Sequence, residues 1–107
     1  MLGIPEITSS ELATMRSQGE VRLIDVRSEA EVARGVIPGA EHIPMHLIPL
    51  KVREIAAGAP TVFYCHSGAR SGQVTAFLMK HGMSKVMNLQ GGILAWLGSG
   101  QSLTAPA

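Results

Sequence analysis

The chain has 107 residues, 46% of them hydrophobic, a formal net charge of +1 and one cysteine. That length makes a single domain with an ordinary core, and the charge is too small to point to nucleic acid. A lone cysteine excludes an intrachain disulfide and suits a reducing, cytoplasmic setting. The opening MLGIPEITSSEL has neither a basic start nor a long apolar run, so no signal peptide is expected. No apolar stretch approaches the ~20 residues that span a bilayer, so no membrane partner is expected either.

Thr8, Ser9 and Ser10 before Glu11 open a short helix over 11–18, with Gly19 near its end. Residues 21–26 (VRLIDV) are apolar and β-branched, which is a strand pattern. Ser28 caps a second short helix over 29–34, ended by Gly35. Two prolines and a glycine make VIPGAEHIP an extended loop with one short strand near His42 and Ile43. Residues 45–58 read as a helix with Pro49 in its first turn or breaking it. A buried-strand pattern follows at 61–65, then a helix over 71–81 with Val74, Phe77 and Leu78 on one face and Gly82 as its stop. Residues 85–89 form a strand and 92–97 a short helix, with Trp96 as a packing anchor; the small, polar tail over 98–107 is expected to fray. Strands alternating with helices predict a mostly parallel sheet covered on both faces. In such sheets ligands sit outside the carboxyl ends of the strands. Asp25 and Cys65 each close a strand, so both are candidates for one crevice.

Cys65 stands where a strand hands over to a helix, facing free backbone N–H groups and the positive end of a helix dipole. Such donors stabilise a thiolate and can lower a cysteine pKa from about 8.5 to roughly 3.5–7.5. The same cradle binds anions. Four residues, His66, Ser67, Gly68 and Ala69, separate Cys65 from Arg70. Gly68 permits positive φ, Ser71 is expected to cap the following helix, and Arg70 brings a fixed charge with paired donors. All eight carboxylates lie at or before Glu54, so the loop has no acidic neighbour in sequence. A free cysteine is more often a small buried hydrophobe; the composition of this loop favours chemistry instead. His42, His46 and His81 read as surface or helix-end residues, and no metal-ligand spacing is visible. Arg27 is expected to pair with an acid of its own helix, such as Glu31.

Four segments, in this order, resemble the single-domain rhodaneses, which are thiosulfate-type sulfurtransferases. They are LIDVR at 23–27, EAEVARGVIPGAEHIP at 29–44, CHSGARS at 65–71 and LQGGILAW at 89–96. The resemblance implies an α/β fold of three layers, with a mostly parallel five-stranded sheet between helices, in one domain with its core over about 6–97. It implies that Cys65 becomes a persulfide, held by the loop of His66, Ser67, Gly68, Ala69, Arg70 and Ser71, with Arg70 helping to bind the donor. Asp25 and Arg27 then match an architectural pair beside the loop. Val36 stands where the family usually has histidine, which implies a local packing change. The mechanism implied is double displacement: thiosulfate or a similar small anionic donor gives its sulfur to Cys65, and cyanide or a thiol takes it. Thioredoxin or another sulfur-relay protein is among the implied acceptors, and no cofactor is implied.

Two other readings compete. A cysteine phosphatase or arsenate reductase on the same fold has a loop one residue longer, and here Ser71 falls where that loop needs its arginine. A non-catalytic rhodanese-like docking module tends to lose the cysteine or to fill the loop with bulk, whereas Cys65, Gly68 and Arg70 are all present. A persulfide carrier for a partner protein lies between an enzyme and a docking module, and in sequence it reads the same as a thiosulfate enzyme.

Overall fold

The computed structural model describes residues 3–56 and 58–106. Its elements in chain order are β1 (Glu6–Ile7), α1 (Ser9–Gln18), β2 (Arg22–Asp25), α2 (Glu29–Ala33), β3 (Glu41–His42), α3 (Val52–Ala56), β4 (Thr61–Tyr64), α4 (Ala69–Lys80), β5 (Val86–Leu89) and α5 (Gly92–Gly98). The five strands form one sheet in the order β1-β5-β4-β2-β3, and every pairing is parallel. The α/β expectation with a five-stranded sheet is met.

The strand pattern explains the layers. All four residues of β4 are buried, as a central strand requires. Its side chains alternate between two cores. Phe63, followed by Cys65, joins Val74 and Leu78 of α4 and Ile48 and Ile55 on one face. Val62 and Tyr64 join Leu12 of α1 and Ile93 and Trp96 of α5 on the other. Both faces are therefore closed by helices, and the loop that carries Cys65 leaves the carboxyl end of β4. Among the described residues no helix is long and apolar enough to cross a membrane.

The structure departs from expectation in four places. The helix expected over 45–58 is a 3-10 turn, Met45–Leu50, followed by α3; residue 57 lies outside the described residues. Pro49 has no N–H to give, and the chain tightens into i→i+3 bonds, such as Lys51 N–H to the Ile48 carbonyl at 2.9 Å. Next, α4 starts at Ala69, and its cap is Gly68 at φ 104°, not Ser71. Only glycine adopts that backbone cheaply. β1 carries no periodicity because it has two residues; it is fixed by pairing Glu6 with Asn88 and Ile7 with Leu89. Finally, the tail expected to fray is paired. Val36 and Thr104 exchange two backbone hydrogen bonds of 2.8 Å, and the Trp96 indole N–H donates to the Ser102 carbonyl at 3.0 Å.

Candidate active site

β4 ends at Tyr64, and the chain turns through Cys65 to Gly68 before α4 begins. The turn folds back on the cysteine sulfur. The Gly68 N–H donates to Cys65 Sγ at 3.1 Å, and Ser71 Oγ lies 3.4 Å away. Burial pushes the Cys65 thiol up. The Ser71 hydroxyl and the N–H groups of Ser71, Gly68 and Ser67 pull it down by more, so its pKa falls below the ordinary thiol value.

The back of the turn is held by α5. The N–H groups of Ile93 and Leu94 donate to the carbonyls of Cys65 and His66 at 2.9 and 3.2 Å. This contact requires glycine at its centre. Gly92 has φ 58°, and a Cβ there would lie 2.5 Å from the Cys65 carbonyl oxygen and 2.6 Å from that of His66. The two carbonyls are thus turned away from the sulfur, which leaves amides facing it.

Ser71 sits in the first turn of α4 with its hydroxyl inward. Its oxygen is 2.6 Å from Asn88 Oδ1. The Asn88 amide is oriented by its own donors, since Nδ2 gives to Glu6 Oε2 at 2.9 Å and to the Gly68 carbonyl at 3.2 Å. Residues from β1, β5 and α4 therefore converge behind the sulfur. Sequence reading did not single out Glu6 and Asn88. The signal was a lone asparagine in the otherwise apolar strand, because a buried polar side chain needs partners.

The charged residues at the strand ends do not sit as expected. Asp25 is fully buried and does not open onto the crevice. Its carboxylate takes the Arg27 backbone N–H at 2.9 Å, Nε at 3.0 Å and Nη2 at 2.7 Å. Arg27 Nη2 also donates to the Gly35 carbonyl at 2.7 Å. Arg27 therefore pairs with Asp25 rather than Glu31, because Asp25 lies two residues away on the same buried turn. Burial works against the Arg27 charge, yet its carboxylate partner holds it fully protonated. Such a pair ties β2 to the loop before β3. Arg27 also spans 5.7 Å over the Tyr64 ring.

Glu31 goes instead to Arg70. Arg70 Nη1 and Nη2 donate to Glu31 Oε1 and Oε2, both at 2.8 Å. The loop thus has an acidic neighbour in space that it lacks in sequence. Arg70 holds the Glu31 carboxyl well below the usual range. Two clefts flank the loop and share Arg27 and Arg70. One of about 370 Å³ also has Glu31, Arg34, His66 and Leu94 on its walls. The other, of about 620 Å³, has Val26, Ser28, Met45 and His46. His66, Ser67 and Ala69 are exposed at the rim, and Gly68 and Arg70 are half-buried. His42 is structural, with Nε2 2.7 Å from the Arg27 carbonyl.

Comparison with known proteins is consistent across this geometry. The Rhodanese-like domain family matches residues 8–99. A sulfurtransferase of Allochromatium vinosum is 46% identical over 104 residues, covering 96% of this chain and 97% of that protein. The thiosulfate sulfurtransferase GlpE of Pseudomonas entomophila is 31% identical over 90 residues, covering 84% of this chain and 82% of that protein. The crystal structure of a rhodanese-like domain protein from Staphylococcus aureus aligns with a TM-score of 0.84 at 31% identity, covering 97% of this chain and 100% of the other.

Proposed function

The chain belongs to the rhodanese-like family, and from that premise we propose that it is a sulfurtransferase working through a persulfide on Cys65. The observation that carries this reading is the sulfur itself. It is the end point of the Gly68 N–H and lies within reach of the Ser71 hydroxyl, with the loop carbonyls drawn back by α5. A site of preorganised donors around one sulfur stabilises a thiolate, and equally the anion of a persulfide one atom longer.

In the first half-reaction the Cys65 thiolate attacks the outer sulfur of thiosulfate or a related donor. The new S–S bond forms as the donor's S–S bond breaks, and sulfite leaves with the electron pair. In the second half-reaction cyanide or a thiol attacks the outer persulfide sulfur, and the Cys65 thiolate is restored. This is covalent catalysis in two displacements. Cys65 is the only cysteine, so no resolving thiol of the same chain competes and the sulfur passes to another molecule. Thioredoxin or another sulfur-relay protein is the kind of thiol acceptor proposed, in a reducing compartment such as the cytoplasm. The named sulfurtransferase relatives support the reaction class.

Intact-protein mass spectrometry tests it. After incubation with thiosulfate, a gain of one sulfur atom that cyanide then removes as thiocyanate is expected, and Cys65→Ser abolishes it. No gain from thiosulfate or from a persulfide-bearing donor sinks the proposal. Cys65-dependent hydrolysis of a phosphomonoester would revive the phosphatase reading.

A further inference from the structure

Arg70 reaches both clefts beside the Cys65 loop, but its charge is already matched. Both terminal nitrogens donate to one carboxylate, that of Glu31, at 2.8 Å each. Glu31 is anchored in turn. Its Oε1 takes the Ser28 N–H at 3.1 Å and the Ser28 hydroxyl at 3.0 Å, closing the capping box of α2. The Arg70 and Glu31 side chains are 39% and 29% exposed, so the pair lies where an incoming ligand meets it. A donor approaching Cys65 therefore meets a neutral ion pair in place of a bare cation. What remains at the sulfur to hold its charge is the ring of loop amides, with the exposed Arg34 as the further cation on the wall of one cleft, and that set suits one negative charge better than two.

We propose that Glu31 is a specificity-determining residue that makes the Cys65 site favour singly charged or neutral sulfur donors, such as thiosulfonates and thiol persulfides, over the dianion thiosulfate. This rests on the persulfide reading of Cys65. With a thiol persulfide, Cys65–S⁻ attacks the terminal sulfur of R–S–S⁻, the donor's S–S bond breaks, and RS⁻ leaves with the electron pair. The total charge is unchanged, and no other reactant is needed.

The physics gives the idea a quantitative form. The energy between Glu31 and a ligand is proportional to the ligand's charge. A factor lost by a monoanion is therefore squared for a dianion, and a neutral reagent loses nothing. Glu31→Gln removes the charge while keeping size and shape, and glutamine also serves at this position of a capping box.

The experiment measures three rates at Cys65 in low salt: alkylation by neutral iodoacetamide, alkylation by iodoacetate, and sulfur uptake from thiosulfate. Dividing by the iodoacetamide rate removes any change in thiolate population. In Glu31→Gln the iodoacetate ratio should rise about threefold, the scale of exposed charge interactions. The thiosulfate ratio should then rise about tenfold, and both gains should shrink at about 0.5 M salt. Arg70→Gln, which leaves Glu31 unpaired, should move both ratios the other way. If the ratios stay flat in both variants while thiosulfate still adds sulfur, the selectivity proposal is overturned and the persulfide reading stands. If neither thiosulfate nor a thiosulfonate adds sulfur to any form while alkylation proceeds, both fall together.

Discussion

Ser71 has one hydroxyl proton and two acceptors within reach, Asn88 Oδ1 at 2.6 Å and Cys65 Sγ at 3.4 Å. With a protonated thiol the shorter bond to Asn88 wins, and the hydroxyl oxygen can accept from S–H. Once the thiolate forms, the proton gains by turning toward sulfur, because a hydrogen bond to a charged acceptor is roughly twice as strong. Ser71→Ala deletes that response. The midpoint of the pH profile for iodoacetamide alkylation should move up, because the folded thiol loses a donor that favours its charged form. Sulfur transfer at neutral pH should fall by about tenfold or more, by analogy with deleting one donor from an oxyanion site. An unmoved midpoint would mean that the amides alone set the thiol. Asn88 tests the same network from behind. Asn88→Leu removes the Ser71 hydroxyl's shorter acceptor and leaves the half-buried Gly68 carbonyl without its side-chain donor, and should cost about 1–3 kcal/mol in chemical denaturation. These contacts join residues 71 and 88, and 6 and 88, so no local window of sequence contains them. The cysteine and its glycine were legible because the turn they make is local.

Two short elements build the site from its flanks. The start of α5 backs the loop, and Gly92 is the contact point. Gly92→Ala places a Cβ 2.5 Å from the Cys65 carbonyl oxygen on a backbone at φ 58°. Both faults fall on backbone, so the loop or the helix must shift. A loss of about 1–3 kcal/mol is expected from a thermal melt, together with slower sulfur uptake. Gly98→Ala in the same helix, where a Cβ meets nothing within 4 Å, is the control. The helix α2 gives a pH dependence. The Glu31 carboxyl is lowered from 4.5 by Arg70 and by its cap to Ser28. Between the folded and unfolded values the unfolded chain binds the extra proton. Stability from this group is therefore present above about pH 4.5 and is lost as pH falls through the folded value. Glu31→Gln should flatten that acid limb of the melting curve, and an unchanged limb would put the ion pair's contribution at nothing. The sequence showed Ser28 as the cap of α2 because that signal is local to the helix start. It did not show the partner of Arg70, because the pairing spans 39 positions. The split of 45–58 into two turns followed the same logic, since Pro49 announced a break but not the 3-10 form it took.

At the scale of the whole molecule the tail decides how the loop after α2 is held. Periodicity gave the sheet because the strands at 22–25, 61–64 and 86–89 are buried and the helices between them have apolar faces. The tail has no such pattern. A single antiparallel bridge depends on backbone groups that every residue carries, so small polar composition reads as fraying. Yet Thr104 pairs both ways with Val36, Leu103 packs into the core beside Tyr64 and Trp96, and the Trp96 N–H ends on Ser102. Val36, at the position where the family usually has histidine, is one half of this bridge and is buried. The neighbouring Gly35 carbonyl takes the Arg27 side chain that also binds Asp25. The tail thus clamps the loop on which the buried ion pair closes. Removing residues 101–107 deletes three hydrogen bonds at about 0.5–1.5 kcal/mol each, and it also loses the burial of Leu103 and uncovers the apolar surface that Leu103 and the bridge cover. A loss of about 2–4 kcal/mol should follow, and at this chain length a melting temperature lower by about 10–20 °C. Thr104→Pro removes one N–H of the bridge without shortening the chain, and should reproduce part of that loss. A truncated protein that melts with the full chain would show that the tail frays in solution, as its composition suggests. It would also show that Val36 is buried without need of a strap.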